Sequence, residues 1–158
     1  MPPMASSRPH PPEPGKFEAE LVIRGEGEKR QEILDISAQL RINYAVDLVG
    51  HVENTEQYLY HSDVFVLSSR WEGFGNVIVE ALSCGLPIVS TDCPSGPAEI
   101  LEYGRYGRLV PVGDDSSLAA AMREALLDTR QDLGRIERSK HFSPDRAAAE
   151  ILKLGPQR

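Results

Sequence analysis

Two glutamates, Glu72 and Glu80, stand eight positions apart at the head and near the end of the stretch EGFGNVIVEAL. A carboxylate among apolar side chains loses free energy on burial without a partner, so Glu80 is expected at an exposed helix edge or in a hydrogen bond. No lysine or arginine lies within four positions of Glu80. Such a carboxylate is suited to accept hydrogen bonds from paired hydroxyls, such as those of a ribose. The alternative is a solvent-facing glutamate without a ligand.

Gly73 and Gly75 join an apolar strand pattern to the helix that carries Glu80. Glycines at a helix N-terminus expose backbone N–H groups, and the helix dipole favours an anion there. The pattern therefore predicts a phosphate or diphosphate site, with a tight strand-to-helix turn as the alternative. Glu72, ahead of the glycines, either meets sugar hydroxyls or biases the start of the helix electrostatically.

Three further loops follow predicted strands, where open α/β sheets bind ligands. Gly25 and Gly27 would let the backbone approach a ligand closely, but the dinucleotide fingerprint G-x-G-x-x-G fails at Arg30, and a plain turn is the alternative. His51, in the loop after the second strand, is assigned no proton-transfer role. The loop over 91–100 predicts a rigid turn into a short helix beside the same crevice.

The elements that position these loops alternate between strand and helix. Strand patterns cover 19–25, 46–50, 63–69 and 87–91, and helix patterns cover 28–42, 54–62, the Glu80 segment up to Gly85, and 116–128. Asn54 or Thr55 is expected to cap the second helix. The inward stripe of the last helix is expected to consist of Leu118, Met122, Ala125 and Leu126. Such alternation implies parallel β–α–β units. The predicted fold class is α/β, with a single Rossmann-like open parallel sheet covered by helices on both faces.

We expect three segments along the 158 residues. Residues 1–16 contain six prolines and almost nothing to bury, which predicts a disordered leader. Residues 17–130 form the Rossmann-like domain. Residues 131–158 form a helical tail broken at Ser143-Pro144, where serine caps a new start.

Composition excludes several classes of function. The net charge of −7 argues against nucleic-acid partners and anionic lipid. The apolar runs are far shorter than the roughly 20 residues of a membrane span, and no secretory signal is visible. Cys84 and Cys93 lack metal-ligand spacing, so we expect reduced thiols in a soluble cytoplasmic protein without a bound metal. Membrane association is not indicated.

The order of EGFGNVIVEAL, LSCGLPIVSTDCPSGPAEIL and GRYGRLVPVGD is specific when taken together. It resembles the C-terminal, donor-binding domain of retaining nucleotide-sugar glycosyltransferases of the GT-B fold, the group 1 (family 4) enzymes. The resemblance runs from about Glu20 to Asp128. It implies transfer of a hexose from a UDP- or GDP-linked donor with retained anomeric configuration, in carbohydrate biosynthesis. It implies no cofactor and no metal for this step.

The resemblance also assigns roles to residues. It implies that Glu80 binds the ribose hydroxyls and that Val52 lies at the base pocket. It implies that the transferred sugar and the diphosphate are contacted by Glu72, Gly73, Phe74, Gly75 and Asn76. Glu72 is the catalytic candidate, and no general base is assigned. Gly25 completes the donor-binding set, because it would let backbone approach the ligand.

The chain departs from the family pattern in two ways. Upstream of the first strand, family members carry a K-G-type segment with a basic phosphate contact, and this chain has its proline-rich leader there. They also carry an N-terminal domain that binds the acceptor. The hypotheses are therefore a glycosyltransferase whose N-terminal half is elsewhere, a non-catalytic nucleotide-sugar-binding or structural remnant, and, ranked last, a different nucleotide-binding α/β domain.

Overall fold

The computed structural model describes residues 19–128, 132–143 and 146. Strands and helices alternate along this part, which confirms the predicted α/β class. The strands are β1 (Leu21–Arg24), β2 (Val46–Gly50), β3 (Phe65–Leu67), β4 (Ile88–Thr91) and β5 (Arg108–Val110). The helices are α1 (Arg30–Gln39), α2 (Thr55–Tyr60), α3 (Asn76–Ser83), α4 (Pro97–Ile100), α5 (Asp115–Leu127) and α6 (Leu133–Lys140). The predicted leader and the break at Ser143-Pro144 fall outside the described residues or at their limit.

The chain divides into two compact units between Glu53 and Asn54. In the first unit, β1 pairs in parallel with β2, and a register shift brings Arg24 opposite Gly50. The N–H of Gly25 then donates to the Gly50 carbonyl at 2.8 Å. The carboxyl ends of the two strands therefore lie side by side, as parallel pairing requires.

In the second unit, β3, β4 and β5 form a parallel sheet with β4 in the centre. Every residue of β4 is buried. β3 is shorter than the predicted strand over 63–69, and its residues are only half-buried. The hydrogen-bonded strands thus form two parallel groups, one in each unit, where the sequence predicts a single sheet.

The core of the second unit lies on both faces of β4. Successive strand residues point to opposite faces. Ile88 accordingly packs with the cluster under α3 and α4, whereas Val89 packs with the residues of β5 and α5. Helices therefore cover both faces of this sheet, as predicted, and α6 packs against α3.

Two helix starts are fixed by short acidic or amide side chains. Asn54 accepts a hydrogen bond from the N–H of Gln57 at 3.3 Å, so the predicted cap of α2 is confirmed. Asp114 caps α5 by accepting from the N–H and the hydroxyl of Ser117 at 2.9 and 2.6 Å. These two bonds hold the pKa of the Asp114 carboxyl below its ordinary value.

The inward stripe of α5 differs from the prediction by one residue. Leu118, Met122 and Ala125 pack against the core as expected, but Ala121 is also buried and was not predicted. Leu126 is half-buried and lines a separate depression at the end of the helix. Alanine gives a weak hydrophobic signal, which explains the omission of Ala121.

Candidate functional site

The loop after β3 turns into α3 through a left-handed glycine. Gly75 is the N-cap of α3, with φ 91° and ψ 43°, and it is buried. Its missing Cβ would lie 3.4 and 3.5 Å from the terminal methyl carbons of Ile78 and Ile100. No side chain in the described part of the chain caps this helix. Within its first turn the N–H of Ile78 donates to the Gly75 carbonyl at 2.9 Å, and the N–H groups ahead of Ile78 are left to other acceptors.

Glu80 lies on the exposed face of α3. Asn76, Glu80 and Ser83 are exposed, whereas Ile78 and Leu82 are fully buried. Positions four and seven apart share one helix face, so Glu80 lies one turn, or about 6 Å, beyond Asn76 on the same side. Of the two placements expected for Glu80, an exposed helix edge or a hydrogen bond, the structure shows the exposed edge.

Glu72 is half-buried and is held by a hydroxyl. The Ser69 hydroxyl donates to Oε1 of Glu72 at 2.6 Å. The Thr91 hydroxyl, from the end of β4, lies 2.5 Å from the Ser69 carbonyl and 3.4 Å from that of Leu67. The neighbouring strand therefore fixes the loop that orients Glu72. Sequence reasoning missed Ser69 and Thr91, although Ser69 stands only three positions before Glu72.

The loops after β3 and β4 meet backbone to backbone. A Cβ added to Gly96 would lie 1.9 Å from the Phe74 carbonyl oxygen, and Gly96 has a positive φ of 104°. Only glycine fits this approach. The structure thus places the loop after β4 beside the glycine-rich loop, as predicted, and identifies Gly96 as the residue that permits the contact.

The ring of Phe74 packs against another aromatic side chain. Phe74 is 41% exposed, and its ring lies edge-on to that of Phe142, with centroids 5.7 Å apart and planes at 67°. The Arg138 guanidinium stands 4.8 Å from the Phe142 centroid. Sequence reasoning did not connect the segment after α6 with this loop.

The remaining predicted residues, Gly25 and Val52, lie in the first unit. Gly25 has a positive φ of 126° with nothing within 4 Å of an added Cβ. Arg24 donates from Nη2 to the Val52 carbonyl at 3.3 Å. The two predicted residues thus belong to neighbouring segments at the carboxyl ends of β1 and β2.

A depression of about 490 Å³ lies at that end of the first unit, lined by Glu26, Gly27, Arg30, Leu48, Val49 and Gly50. Arg30 reaches across it by donating from Nη1 to the Leu48 carbonyl at 3.1 Å. In the sequence, Arg30 was noted only as the residue at which the dinucleotide fingerprint fails. The structure shows that Arg30 also lines this depression.

Among the described residues, no group of three or more His, Cys, Asp or Glu side chains is placed to hold a metal ion. None of the described helices is long and apolar enough to cross a membrane. Cys84 and Cys93 are both buried free thiols, and burial raises the pKa of Cys84 above its ordinary value.

Comparison with known proteins decides the family. The sequence model described as glycosyl transferases group 1 matches residues 9–128, which is more than half of the chain. The chain belongs to the group 1 glycosyltransferases. An uncharacterized glycosyltransferase of Methanocaldococcus jannaschii is 40% identical over 104 residues, covering 58% of this chain and 26% of the relative.

A second relative of this group 1 glycosyltransferase chain has a named activity. It is the N-acetylgalactosamine-N,N'-diacetylbacillosaminyl-diphospho-undecaprenol 4-alpha-N-acetylgalactosaminyltransferase of Campylobacter jejuni. It is 33% identical over 115 residues, covering 73% of this chain and 32% of the relative. The chain therefore spans about a quarter to a third of the length of these two relatives.

Solved glycosyltransferase structures share the fold. The lipopolysaccharide outer core galactosyltransferase WaaB is 22% identical with a TM-score of 0.72, covering 85% of this chain and 41% of WaaB. The HepE protein of Anabaena, solved with UDP, is 23% identical with a TM-score of 0.71, covering 86% of this chain and 41% of HepE. The predicted GT-B architecture is therefore confirmed for this group 1 chain.

Proposed function

We propose that this chain is the donor-binding part of a retaining glycosyltransferase that moves a hexose from a UDP- or GDP-linked sugar to a hydroxyl. One observation carries the proposal: an uncapped helix start with a left-handed glycine and, one turn along the same exposed face, the Glu80 carboxylate. The helix start suits a diphosphate and the carboxylate suits a ribose.

The diphosphate role belongs to Gly75 and Asn76. Their N–H groups stand at the positive end of the α3 dipole, where anions are stabilised. Negative charge develops on the diphosphate as the sugar–phosphate bond breaks. Fixed N–H donors stabilise that charge without reorganising, so the chain contributes electrostatic catalysis and no nucleophile of its own.

The sugar role belongs to Glu72 and to the adjacent Gly73 and Phe74. The Ser69 hydroxyl leaves the Glu72 carboxylate with unused acceptor capacity, since a carboxylate has about four lone-pair sites. Sugar hydroxyls are donors that match it. Because Glu72 would touch the transferred sugar, we assign it as the catalytic candidate.

The base role is assigned to Val52, with Gly25 allowing close backbone approach at the carboxyl ends of β1 and β2. Two structures similar in fold support a uridine nucleotide: HepE in complex with UDP, and the pneumococcal O-GlcNAc transferase GtfA in complex with UDP and GlcNAc. GtfA is 23% identical with a TM-score of 0.73, covering 85% of this chain and 28% of GtfA. We propose that this chain binds the same class of nucleotide.

The acceptor is assigned to a separate domain. Because the chain spans only 26% and 32% of its two relatives, we propose that an N-terminal, acceptor-binding domain completes the enzyme. We further propose a cytoplasmic location, where nucleotide sugars are available. The same partial coverage favours a second candidate, a remnant that binds the donor but does not transfer sugar.

Calorimetric titration of the 158-residue chain with UDP and with GDP tests the proposal. We expect saturable binding of at least one of them, because the helix start and Glu80 are both formed in the chain. Binding of neither nucleotide would overturn the donor-binding role. Release of nucleoside diphosphate from UDP-hexose or GDP-hexose by the chain would then exclude the second candidate, a remnant that binds the donor without transferring sugar.

A further inference from the structure

The segment after α6 contacts the loop after β3, residues 68–75, here called the donor loop, at the ring of Phe74. Phe142 meets Phe74 edge to face at 5.7 Å, a favoured aromatic geometry. Phe74 is the residue immediately before Gly75, whose left-handed φ sets the direction of the first N–H groups of α3. The packed Phe74 ring therefore stands one residue before the turn that directs those groups.

Arg138 holds Phe142 and the end of α4 in one arrangement. Its guanidinium lies between two rings, 4.8 Å from the centroid of Phe142 and 5.7 Å from that of Tyr106. It also donates from Nε to the Ile100 carbonyl at 2.9 Å and from Nη2 to the Glu99 carbonyl at 2.6 Å. The planar guanidinium of an arginine can donate to both carbonyls and stack on both rings, whereas the ammonium group of a lysine cannot do both.

The other end of α4 contacts the same loop. Ile100 donates from its N–H to the Gly96 carbonyl at 2.8 Å, and Gly96 lies against the Phe74 carbonyl. Phe74 is thus fixed on its backbone through Gly96 and on its ring through Phe142. Arg138 contacts the partner on each side, through the Phe142 ring and through the Ile100 carbonyl.

We infer that Arg138 and Phe142 are positioning residues for the donor loop, which hold the N–H groups at Gly75 and Asn76 in the orientation that accepts the β-phosphate of the donor nucleotide. The inference rests on the proposed function. Both side chains act through Phe74. Hydrogen bonds weaken steeply as their geometry departs from linearity, so misdirected N–H groups hold a charged phosphate less well.

The test compares nucleoside diphosphate with nucleoside monophosphate on the 158-residue chain. Calorimetry gives the dissociation constants of UDP and UMP, or of GDP and GMP if only guanine nucleotides bind, at a temperature where each variant is fully folded. We expect Phe142→Leu to raise the dissociation constant of the diphosphate about fivefold to tenfold while changing that of the monophosphate less than about twofold. Arg138→Lys should have the same effect. Phe142→Tyr keeps the aromatic ring edge, so it should keep the ratio of the diphosphate and monophosphate dissociation constants found for the unmodified chain.

Arg135→Lys provides the matched control on the same helix. Arg135 is buried, donates to the Gly85 carbonyl at 3.3 Å and pairs with Asp128 at 3.1 Å, at the far end of α3 from the donor loop. This variant should lower the melting temperature without changing the diphosphate-to-monophosphate ratio. If Phe142→Leu does not fold, Arg138→Lys carries the same comparison.

The outcomes distinguish the inference from the function on which it rests. If the unmodified chain binds neither diphosphate, the proposed function fails and the inference fails with it. If the chain binds a diphosphate and both positioning variants keep the ratio of the unmodified chain, the inference is overturned and the donor site stands. A rise in both dissociation constants together also overturns it, since that result indicates a structural role alone.

Discussion

At the scale of single residues, Glu72 is fixed by a neutral donor. The Ser69 hydroxyl, 2.6 Å from Oε1, orients the carboxylate. The Thr91 hydroxyl in turn donates to the Ser69 carbonyl at 2.5 Å. An oriented carboxylate is suited to bind sugar hydroxyls, because hydrogen bonds to charged groups are stronger than neutral ones.

Ser69→Ala should therefore weaken binding of the sugar and spare binding of the nucleotide. Loss of one orienting hydrogen bond, worth about 0.5–1.5 kcal/mol, predicts an affinity for the nucleotide sugar that is about twofold to tenfold lower. The affinity for the free nucleoside diphosphate should not change. Calorimetry with UDP-hexose and UDP measures both, and an equal loss for both ligands would contradict the role of Glu72 at the sugar. Ser116→Ala, at the exposed start of α5, is the matched control.

At the scale of elements, the contact between two loops depends on one glycine. Gly96→Ala brings a Cβ to within 1.9 Å of the Phe74 oxygen and also strains a positive φ. We expect the free energy of unfolding to fall by more than about 2 kcal/mol, because the clash adds to the strain. Urea denaturation measures the change.

Gly113→Ala is the matched control for backbone strain. Gly113 also has a positive φ, of 80°, but an added Cβ meets nothing within 4 Å. Gly113→Ala should therefore lower the free energy of unfolding only by the backbone strain, about 1–2 kcal/mol. Equal losses of stability for Gly96→Ala and Gly113→Ala would mean that the close approach of the loops after β3 and β4 does not contribute to stability.

Much of the element order follows from local patterns. The strand over 87–91 was predicted, and an exposed helix edge was one of the two placements expected for Glu80, because apolar runs and helical spacing are properties of adjacent residues. The strand β3 is shorter than predicted, since the apolar Val64 before it and the polar Ser68 after it do not continue the ladder with β4. Apolarity alone does not mark where hydrogen bonding ends.

The contacts that complete the candidate site were beyond the reach of sequence patterns. Thr91 and Ser69 are 22 positions apart, and Arg138 is 39 positions from Glu99. Such pairs meet only after the parallel strands align and α6 packs. The sequence singled out the glycines and glutamates that we propose as donor contacts, but not the residues behind them that hold the loop.

At the scale of the whole molecule, the family and the length of the chain set what it can do alone. It is a group 1 glycosyltransferase chain that spans about a quarter to a third of its two relatives. The donor loop, Glu80 and the residues that position them are all contained in the unit after Asn54. This placement agrees with the proposed role of the second unit in binding the diphosphate, the sugar and the ribose of the donor.

The affinity of Glu80→Ala for UDP and GDP, compared with the unmodified chain, tests the central claim most directly. Hydrogen bonds to a charged group are worth about 1.5–3 kcal/mol, so loss of the ribose contacts predicts binding about tenfold to a hundredfold weaker. Because Glu80 is exposed, the free energy of unfolding should change by less than about 0.5 kcal/mol. Glu124→Ala, which removes a carboxylate that is 67% exposed on α5, should leave affinity unchanged. Equal nucleotide affinity in Glu80→Ala and the unmodified chain would contradict the ribose role and with it the proposed donor site.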